Sequence, residues 1–298
     1  MNTTSPLAPK KRPLVIAHRG ASDAAPENTR AAFLLAKDMG ADYFELDVQL
    51  TKDGVLAVFH DRDVSRFCIK HVPVVHMTMS DMRTIDVGSW FAPEFADERV
   101  ISLEEALDLA DQRTGVYVEI KSAVDETPLI PDMLEIIVGR KSLTRWDWKY
   151  LYDAALRLSA DSIVMAHRAI DVIRPYLNKC PIVVQAFSPV IALIFMKEAP
   201  DIRFEFLGMD LPEPPNIWRD FVLYGNALNV AGFNINLGSF DEARLSHFRD
   251  YGRTCAIWVV DETEAMLQLA AAGVDGIITN KPDLCLQTLT EEAVEIDT

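Results

Sequence analysis

Seven ionisable residues of this chain cluster at the ends of strand-like runs: His18 and Arg19 after LVIA, Glu45 and Asp47 in YFELDV, His60 after LAVF, and Glu119 and Lys121 in VYVEIK. Side chains two apart on a strand share a face, so Glu45 and Asp47 point the same way, as do Glu119 and Lys121. Adjacent carboxylates on a buried face repel unless a cation or a proton neutralises them. Glu45, Asp47 and Glu119, with no cysteine nearby, form a hard oxygen donor set that suits one divalent cation, Mg²⁺ or Ca²⁺, and not zinc. His18 and His60 can supply a general base and a general acid near neutral pH. Arg19 and Lys121 add positive charge, and arginine grips phosphate through a bidentate fork. Such a set describes phosphoryl transfer or phosphodiester cleavage.

The elements that must position these groups follow from the local patterns. Leu14 to His18 reads as a strand, Arg30 to Lys37 as a helix capped by Asn28 or Thr29 and closed by Gly40, and Tyr43 onward as a second strand. Strand, helix, strand with short connections is a βαβ unit and implies a parallel sheet. Asp53-Gly54 marks a hairpin turn, and as a two-residue turn it sets Lys52 opposite Val55 and Asp47 opposite His60. Read alone, that stretch also suits a half-exposed hairpin with solvated acids. Residues 61–100 break the rhythm and look like an insertion; Ser102 to Glu105 is a capping box that resumes it. Further strands are expected at 116–121, 182–187, 202–207, 232–235, 254–260 and 275–279. Helices are expected at 146–158, 167–177, 190–198, 241–250 and 262–272, and residues 162–166 suit a strand. Without that last segment and the hairpin return, eight parallel strands with intervening helices suggest a TIM barrel, with a doubly wound open sheet as the alternative.

Composition narrows the function classes. A net charge of −16 argues against non-specific binding to nucleic acid or anionic lipid. The 298 residues, 49% hydrophobic and 25% charged, suit a globular enzyme with a substantial core. Cys68, Cys180, Cys255 and Cys285 are scattered without a C-x-x-C pair, as expected for free thiols in a reducing compartment. The N-terminal MNTTSPLAPKKRP has no apolar core for a secretory signal, and the run from Pro181 to Met196 is too broken to span a bilayer. The expectation is a cytoplasmic protein with a small-molecule substrate, no nucleic-acid partner and no membrane insertion.

The segments HRGASDAAPENT, ELDVQLTKDGVLAVFHD, GSWFAPEFADERVISLEEAL, VEIK and GVDGIITNKPDL, in that order, closely resemble the glycerophosphodiester phosphodiesterase family. The resemblance spans nearly the whole chain. It implies a TIM (β/α)8 barrel with a small insertion after the second strand, so that residues 1–298 hold one barrel domain (about 13–290) with the insertion at about 61–100. It also implies metal-dependent hydrolysis of a glycerophosphodiester to glycerol 3-phosphate and an alcohol. By motif, Glu45, Asp47 and Glu119 look like metal ligands, His18 and His60 like the acid–base pair, and Arg19 and Lys121 like phosphate contacts. Glu27 and Asn28 would brace the site, and Trp258 resembles an aromatic wall beside the glycerol. The chain departs from the pattern at Trp258-Val259-Val260-Asp261, where Trp-Thr-Val-Asn is usual, at Ala186 and at Asn280 (a frequent aspartate). None of these is a proposed ligand or acid–base residue, so they are expected to bear on substrate selection rather than on the reaction.

Blander readings stand beside these. Arg19 could be a surface cation, Lys121 a partner that merely neutralises Glu119, and Trp258 core packing. His71, His76, His167 and His247 fall in no coherent spacing. Trp90, Phe91, Trp146 and Trp148 suit insertion packing or a contact in a homo-oligomer. A non-catalytic barrel that binds metal or phosphodiester is the alternative from another class. It has no need of two titrating imidazoles facing a metal, which favours the enzyme.

Overall fold

The computed structural model describes residues 12–68, 71–122, 124–137, 143–212 and 216–296. The N-terminal stretch read above for a secretory signal lies, but for its last two residues, outside them. Nine strands make one sheet: β1 (Leu14–Ala17), β2 (Tyr43–Leu50), β3 (Leu56–Val58), β4 (Gly115–Ile120), β5 (Ile182–Ala186), β6 (Arg203–Gly208), β7 (Gly232–Asn236), β8 (Thr254–Trp258) and β9 (Gly276–Thr279). Their order is β1-β9-β8-β7-β6-β5-β4-β2-β3, and the pairing of β1 with β2 closes the ring. Every pair is parallel except β2 with β3. The result is an eight-stranded parallel barrel, a TIM barrel, with β3 as an antiparallel flap on β2.

Alternation along β2 shows why the barrel faces as it does. Phe44, Leu46 and Val48 are fully buried in the main core shared with the surrounding helices. On the opposite face Tyr43 packs inside the barrel with Ile16, Tyr117, Val183, Ala256 and Ile278. Side chains at i and i+2 share a face, so Glu45 and Asp47 rise from this apolar floor toward the C-terminal end of the barrel. The second smaller core, built from Ala57, Phe59, Val64, Val74, Met79, Met82, Ile85, Val87 and Val100, lies largely in the segment read as an insertion.

Helix boundaries follow the cap chemistry. Thr29 caps Arg30–Met39 and accepts from the Ala32 N–H, and Gly40 ends that helix at φ 88, where a side chain would be strained. Ser102 and Glu105 form the expected capping box, but the helix they open is short, Leu103–Leu107. Residues 162–166 are not a strand. They lie within the helix Ala160–Ile173, which buries eight of its residues. Four helices escaped the sequence reading: the one-turn Met79–Met82, Ile130–Ile137, Ile217–Leu228 and Pro282–Ile296.

The hairpin register also differs by one residue. Val48 pairs with Val58, Gln49 with Ala57 and Leu50 with Leu56, so Asp47 faces Phe59, whose N–H donates to the Asp47 carbonyl at 2.9 Å. The turn is a three-residue loop. Thr51 Oγ1 sits 3.0 Å from both the Val55 carbonyl and the Val55 N–H and 2.7 Å from Asp53 Oδ1, and Gly54 takes φ 77. His60 therefore follows the strand, beyond the end of the ladder, rather than pairing with Asp47.

Candidate active site

Glu45, Asp47 and Glu119 meet at the mouth of the barrel, each with a carboxylate oxygen within 4.8 Å of the others. All three are buried. Their surroundings are unequal. Asp47 receives Lys121 Nζ at 3.1 Å, the Arg19 Nε at 3.3 Å and the Asn28 Nδ2 at 2.8 Å. Burial alone would raise its pKa, but Lys121 and Arg19 outweigh it and hold the carboxyl well below its usual range. Glu119 accepts from Lys121 Nζ at 2.7 Å, yet burial keeps its pKa raised. Glu45 has no cationic side chain against it among the described residues. It accepts from the Arg19 backbone N–H at 2.9 Å and from Gln185 Nε2 at 3.4 Å. Burial, followed by repulsion from Asp47 and Glu119, pushes Glu45 well above the ordinary range. An all-oxygen set with one under-compensated buried carboxylate fits a hard divalent cation.

Arg19 and the braces Glu27 and Asn28 come from the loop after β1, whereas Lys121 directly follows β4. Arg19 takes φ 57, a left-handed conformation costing roughly 1–2 kcal/mol for a residue with a Cβ, and this aims its N–H at Glu45. Its guanidinium binds Glu27 at 3.0 Å as well as approaching Asp47. Burial works against its charge, but Asp47, Glu27 and Glu45 overcome it and raise the pKa. Asn28, also left-handed at φ 57, accepts the Asp47 N–H at 3.2 Å through Oδ1 while donating to its carboxylate.

Both imidazoles are held by one nitrogen. His18 Nδ1 lies 2.7 Å from Asn280 Oδ1, and His60 Nδ1 lies 2.9 Å from Asp61 Oδ1. No hydrogen bond to either Nε2 is formed among the described residues. Burial, then the charge of Arg19, lowers the His18 pKa to about 4, leaving the ring neutral at physiological pH. Burial also lowers that of His60, but Asp47 and the bond to Asp61 oppose it.

The structure brings these seven ionisable residues to one end of the barrel, together with Glu27 and Asn28. Trp258 is half-buried, donates from Nε1 to the Asn234 carbonyl at 3.1 Å and meets Phe187 edge-on at 5.7 Å between centroids. It thus stands at the end of β8, partly buried against the apolar floor of the barrel. The departures at positions 261 and 280 are closer to the chemistry than expected: Asn280 bonds His18 directly, and Asp261 bonds Asn280. The sequence reading also missed Arg66 of the insertion, which joins Glu27 at 2.5 Å to Asp61 at 2.7 Å and stacks on Phe67. Gln185 and Asn234, inside the barrel, were missed as well. Asn234 Nδ2 donates to Gln185 Oε1 at 2.8 Å, and Gln185 in turn reaches Glu45. Gln185 and Asn234 lay within the strands expected at 182–187 and 232–235 but with nothing local to mark them as contacts of the site, and no local signal marks Arg66.

Trp90 and Phe91 pack with Phe67 and Phe95 in the insertion, and Trp148 against the main core; Trp146 stays 77% exposed and packs against neither. A groove of about 440 Å³ between the helices at 130–137 and 145–158 shares no residue with the carboxylate centre. None of the four cysteines forms a disulfide, and no helix among the described residues is long and apolar enough to cross a membrane.

Residues 18–284 match the sequence model of the glycerophosphoryl diester phosphodiesterase family. A glycerophosphodiester phosphodiesterase of Caldanaerobacter subterraneus subsp. tengcongensis is 32% identical over 91% of this chain and 95% of its own length. A putative one of Bacillus subtilis (strain 168) is 30% identical over 92% and 96%. Among solved structures, an Oleispira antarctica phosphodiesterase in complex with the product sn-glycerol-3-phosphate superposes with a TM-score of 0.73 at 22% identity, covering 94% of this chain and 97% of that one. A glycerophosphodiester phosphodiesterase from Agrobacterium tumefaciens str. C58 reaches 0.62 at 27% identity, covering 92% and 99%.

Proposed function

The chain belongs to the glycerophosphoryl diester phosphodiesterase family and is a phosphoric diester hydrolase; from this we propose that it hydrolyses glycerophosphodiesters to glycerol 3-phosphate and an alcohol, in a metal-dependent reaction run by His18 and His60. The observation that carries the reading is one barrel mouth with three buried carboxylates and two imidazoles, each imidazole tied at Nδ1 to an oxygen acceptor. The product bound to the Oleispira antarctica relative supports glycerol 3-phosphate as the product here.

Glu45, Asp47 and Glu119 would hold one Mg²⁺ or Ca²⁺, which would supply Lewis-acid stabilisation of charge on the phosphoryl oxygens. The chain's own groups do the rest. Arg19 and Lys121 line the same centre and offer donors to the phosphoryl oxygens. Asn28 and Glu27 keep Asp47 and Arg19 in place, and the Trp258 ring presents an apolar face to the glycerol carbons.

The glycerol 2-hydroxyl is one carbon from the scissile ester and so reaches phosphorus more readily than free water. His18, neutral by burial, takes its proton at Nε2. The 2-oxygen bonds to phosphorus, the bond from phosphorus to the departing alcohol breaks, and His60 gives that oxygen a proton. Asp61 and Asp47 support the protonated form that this role requires of His60. Water then opens the cyclic 1,2-phosphate: His60 takes its proton, and His18 returns one to the 2-oxygen.

Residues about 13–290 would form one catalytic barrel domain with the insertion at about 61–100. Four cysteines outside any disulfide suit a reducing compartment and thus the cytoplasm. The test is product analysis with glycerophosphocholine after chelation. Glycerol 3-phosphate and choline should form only when Mg²⁺ or Ca²⁺ is restored. Turnover unchanged in chelator, or phosphocholine as the product, overturns the reading.

A further inference from the structure

The loops after β8, β9 and β1, three neighbouring strands, place Asp261, Asn280 and His18 in one line. The His18 N–H donates to the Thr279 carbonyl at 2.8 Å, and the Val260 N–H to the Ile278 carbonyl at 3.0 Å, so these loops leave the barrel in register. Asp261 Oδ1 accepts the Asn280 backbone N–H at 2.8 Å and the Thr279 hydroxyl at 2.9 Å. Its Oδ2 accepts from Asn280 Nδ2 at 2.7 Å. Asn280 Oδ1 then faces His18 Nδ1 at 2.7 Å and Ser22 Oγ at 2.9 Å.

Only one end of this line is chemically fixed. An imidazole nitrogen donates or accepts according to its tautomer, and a serine hydroxyl does either by rotating. Ser22 Oγ also lies 2.8 Å from the His18 carbonyl, so its single proton has another acceptor. A flipped Asn280 amide would satisfy both His18 and Ser22. It would also set an amide oxygen against a carboxylate oxygen at 2.7 Å, and a carboxylate only accepts. We propose that Asp261 is a positioning residue for His18. Its carboxylate orients the Asn280 amide, the amide oxygen keeps a proton on His18 Nδ1, and the reactive lone pair is thereby confined to Nε2.

This rests on His18 serving as general base, but the tautomer can be read without turnover. In ¹⁵N-histidine-labelled protein, long-range ¹H–¹⁵N spectra distinguish a protonated Nδ1 from a protonated Nε2, and His18→Gln identifies the signal among six histidines. Wild-type His18 should carry its proton on Nδ1. Asp261→Asn should invert the line: the new side chain keeps its amide oxygen on the Asn280 backbone N–H, its amino group faces the Asn280 side chain, and the Asn280 amino group turns to His18. The proton should move to Nε2, and kcat should fall roughly 100-fold. The exchange Asp261→Asn with Asn280→Asp should return the proton to Nδ1 and recover most of kcat. A carboxylate then touches the imidazole in place of an amide, so the acid limb of the kcat/KM profile should move to higher pH. The other charges facing His18 are Arg19, Asp47 and Glu27, and they are the same in every variant. A wild-type proton on Nε2 overturns the proposal, whatever the variants do. So does a folded Asp261→Asn protein with an unchanged tautomer and kcat. If the tautomer moves as described while His18→Gln stays fully active, the relay stands and the assignment of His18 as base fails.

Discussion

Asn28 binds Asp47 in both directions, donating from Nδ2 to the carboxylate at 2.8 Å and accepting the Asp47 backbone N–H at 3.2 Å. The side chain of a loop residue therefore fixes both the height of β2 at this point and the rotation of its carboxylate. Asn28→Gly removes the clamp while keeping a residue at ease with φ 57. Loss of such a supporting bond typically weakens metal affinity about 10- to 100-fold. Titration calorimetry with Mg²⁺ and Ca²⁺ should show that loss, and an unchanged affinity would mean that the clamp does not serve the cation.

Glu45 is the carboxylate with the least compensation. Lys121 and Arg19 lean on Asp47, while Glu45 has a backbone N–H and an amide. Replacing it by Gln relieves repulsion in the metal-free protein and removes a ligand from the metal-bound one. Glu45→Gln should melt higher than wild type in chelator yet gain nothing from added cation. Wild type should gain about 2.7 kcal/mol at a hundredfold excess of cation over Kd. A variant that melts lower in chelator and still responds to metal would remove Glu45 from the ligand set.

Most of the barrel was legible because its signals are local. Alternation in YFELDV, the Thr29 and Gly40 caps and the capping box at Ser102 each specify an element within a few residues, and all the barrel strands fell where expected. The hairpin register was misread for an equally local reason, since the Thr51 side chain closes a three-residue loop that Asp53-Gly54 alone does not reveal. Only the first half of the helix at 160–173 was misread: its buried residues recur in pairs at helical spacing (162–163, 165–166, 169–170 and 172–173), but the short run 162–166 taken alone suits a strand as well as a helix. Contacts between distant loops left no trace. Asn280 and His18 are 262 residues apart, and Arg66 reaches Glu27 across 39. The departures at 261 and 280 looked like separate changes away from the chemistry, and barrel closure between β9 and β1 makes them one contact with His18.

Glu126 offers a test of pH dependence away from the barrel mouth. It is buried and accepts hydrogen bonds from the hydroxyls of Ser162 and Ser188, yet burial raises its pKa above the ordinary 4.5. A carboxyl raised in the folded state binds its proton more tightly there than in the unfolded chain. Its contribution is therefore full below the unfolded value and is lost as pH rises through the folded one. Glu126→Gln should melt higher than wild type near pH 7, by roughly 2–4 °C, and the difference should vanish toward pH 4. A variant that melts lower at pH 7 would mean that the two serine bonds outweigh the burial.

The roles of the two histidines are tested most directly by changing the leaving group. Nitrophenol departs with little need of a proton, whereas choline needs one. Rates of His60→Ala and His18→Ala should be measured on a glycerophosphoryl nitrophenyl ester and on glycerophosphocholine. His60→Ala should lose on the order of 100-fold or more on the choline ester and far less on the nitrophenyl ester, while His18→Ala loses similar amounts on both. The reverse pattern would exchange the two roles, and full activity in both variants would contradict histidine acid–base catalysis at this site altogether.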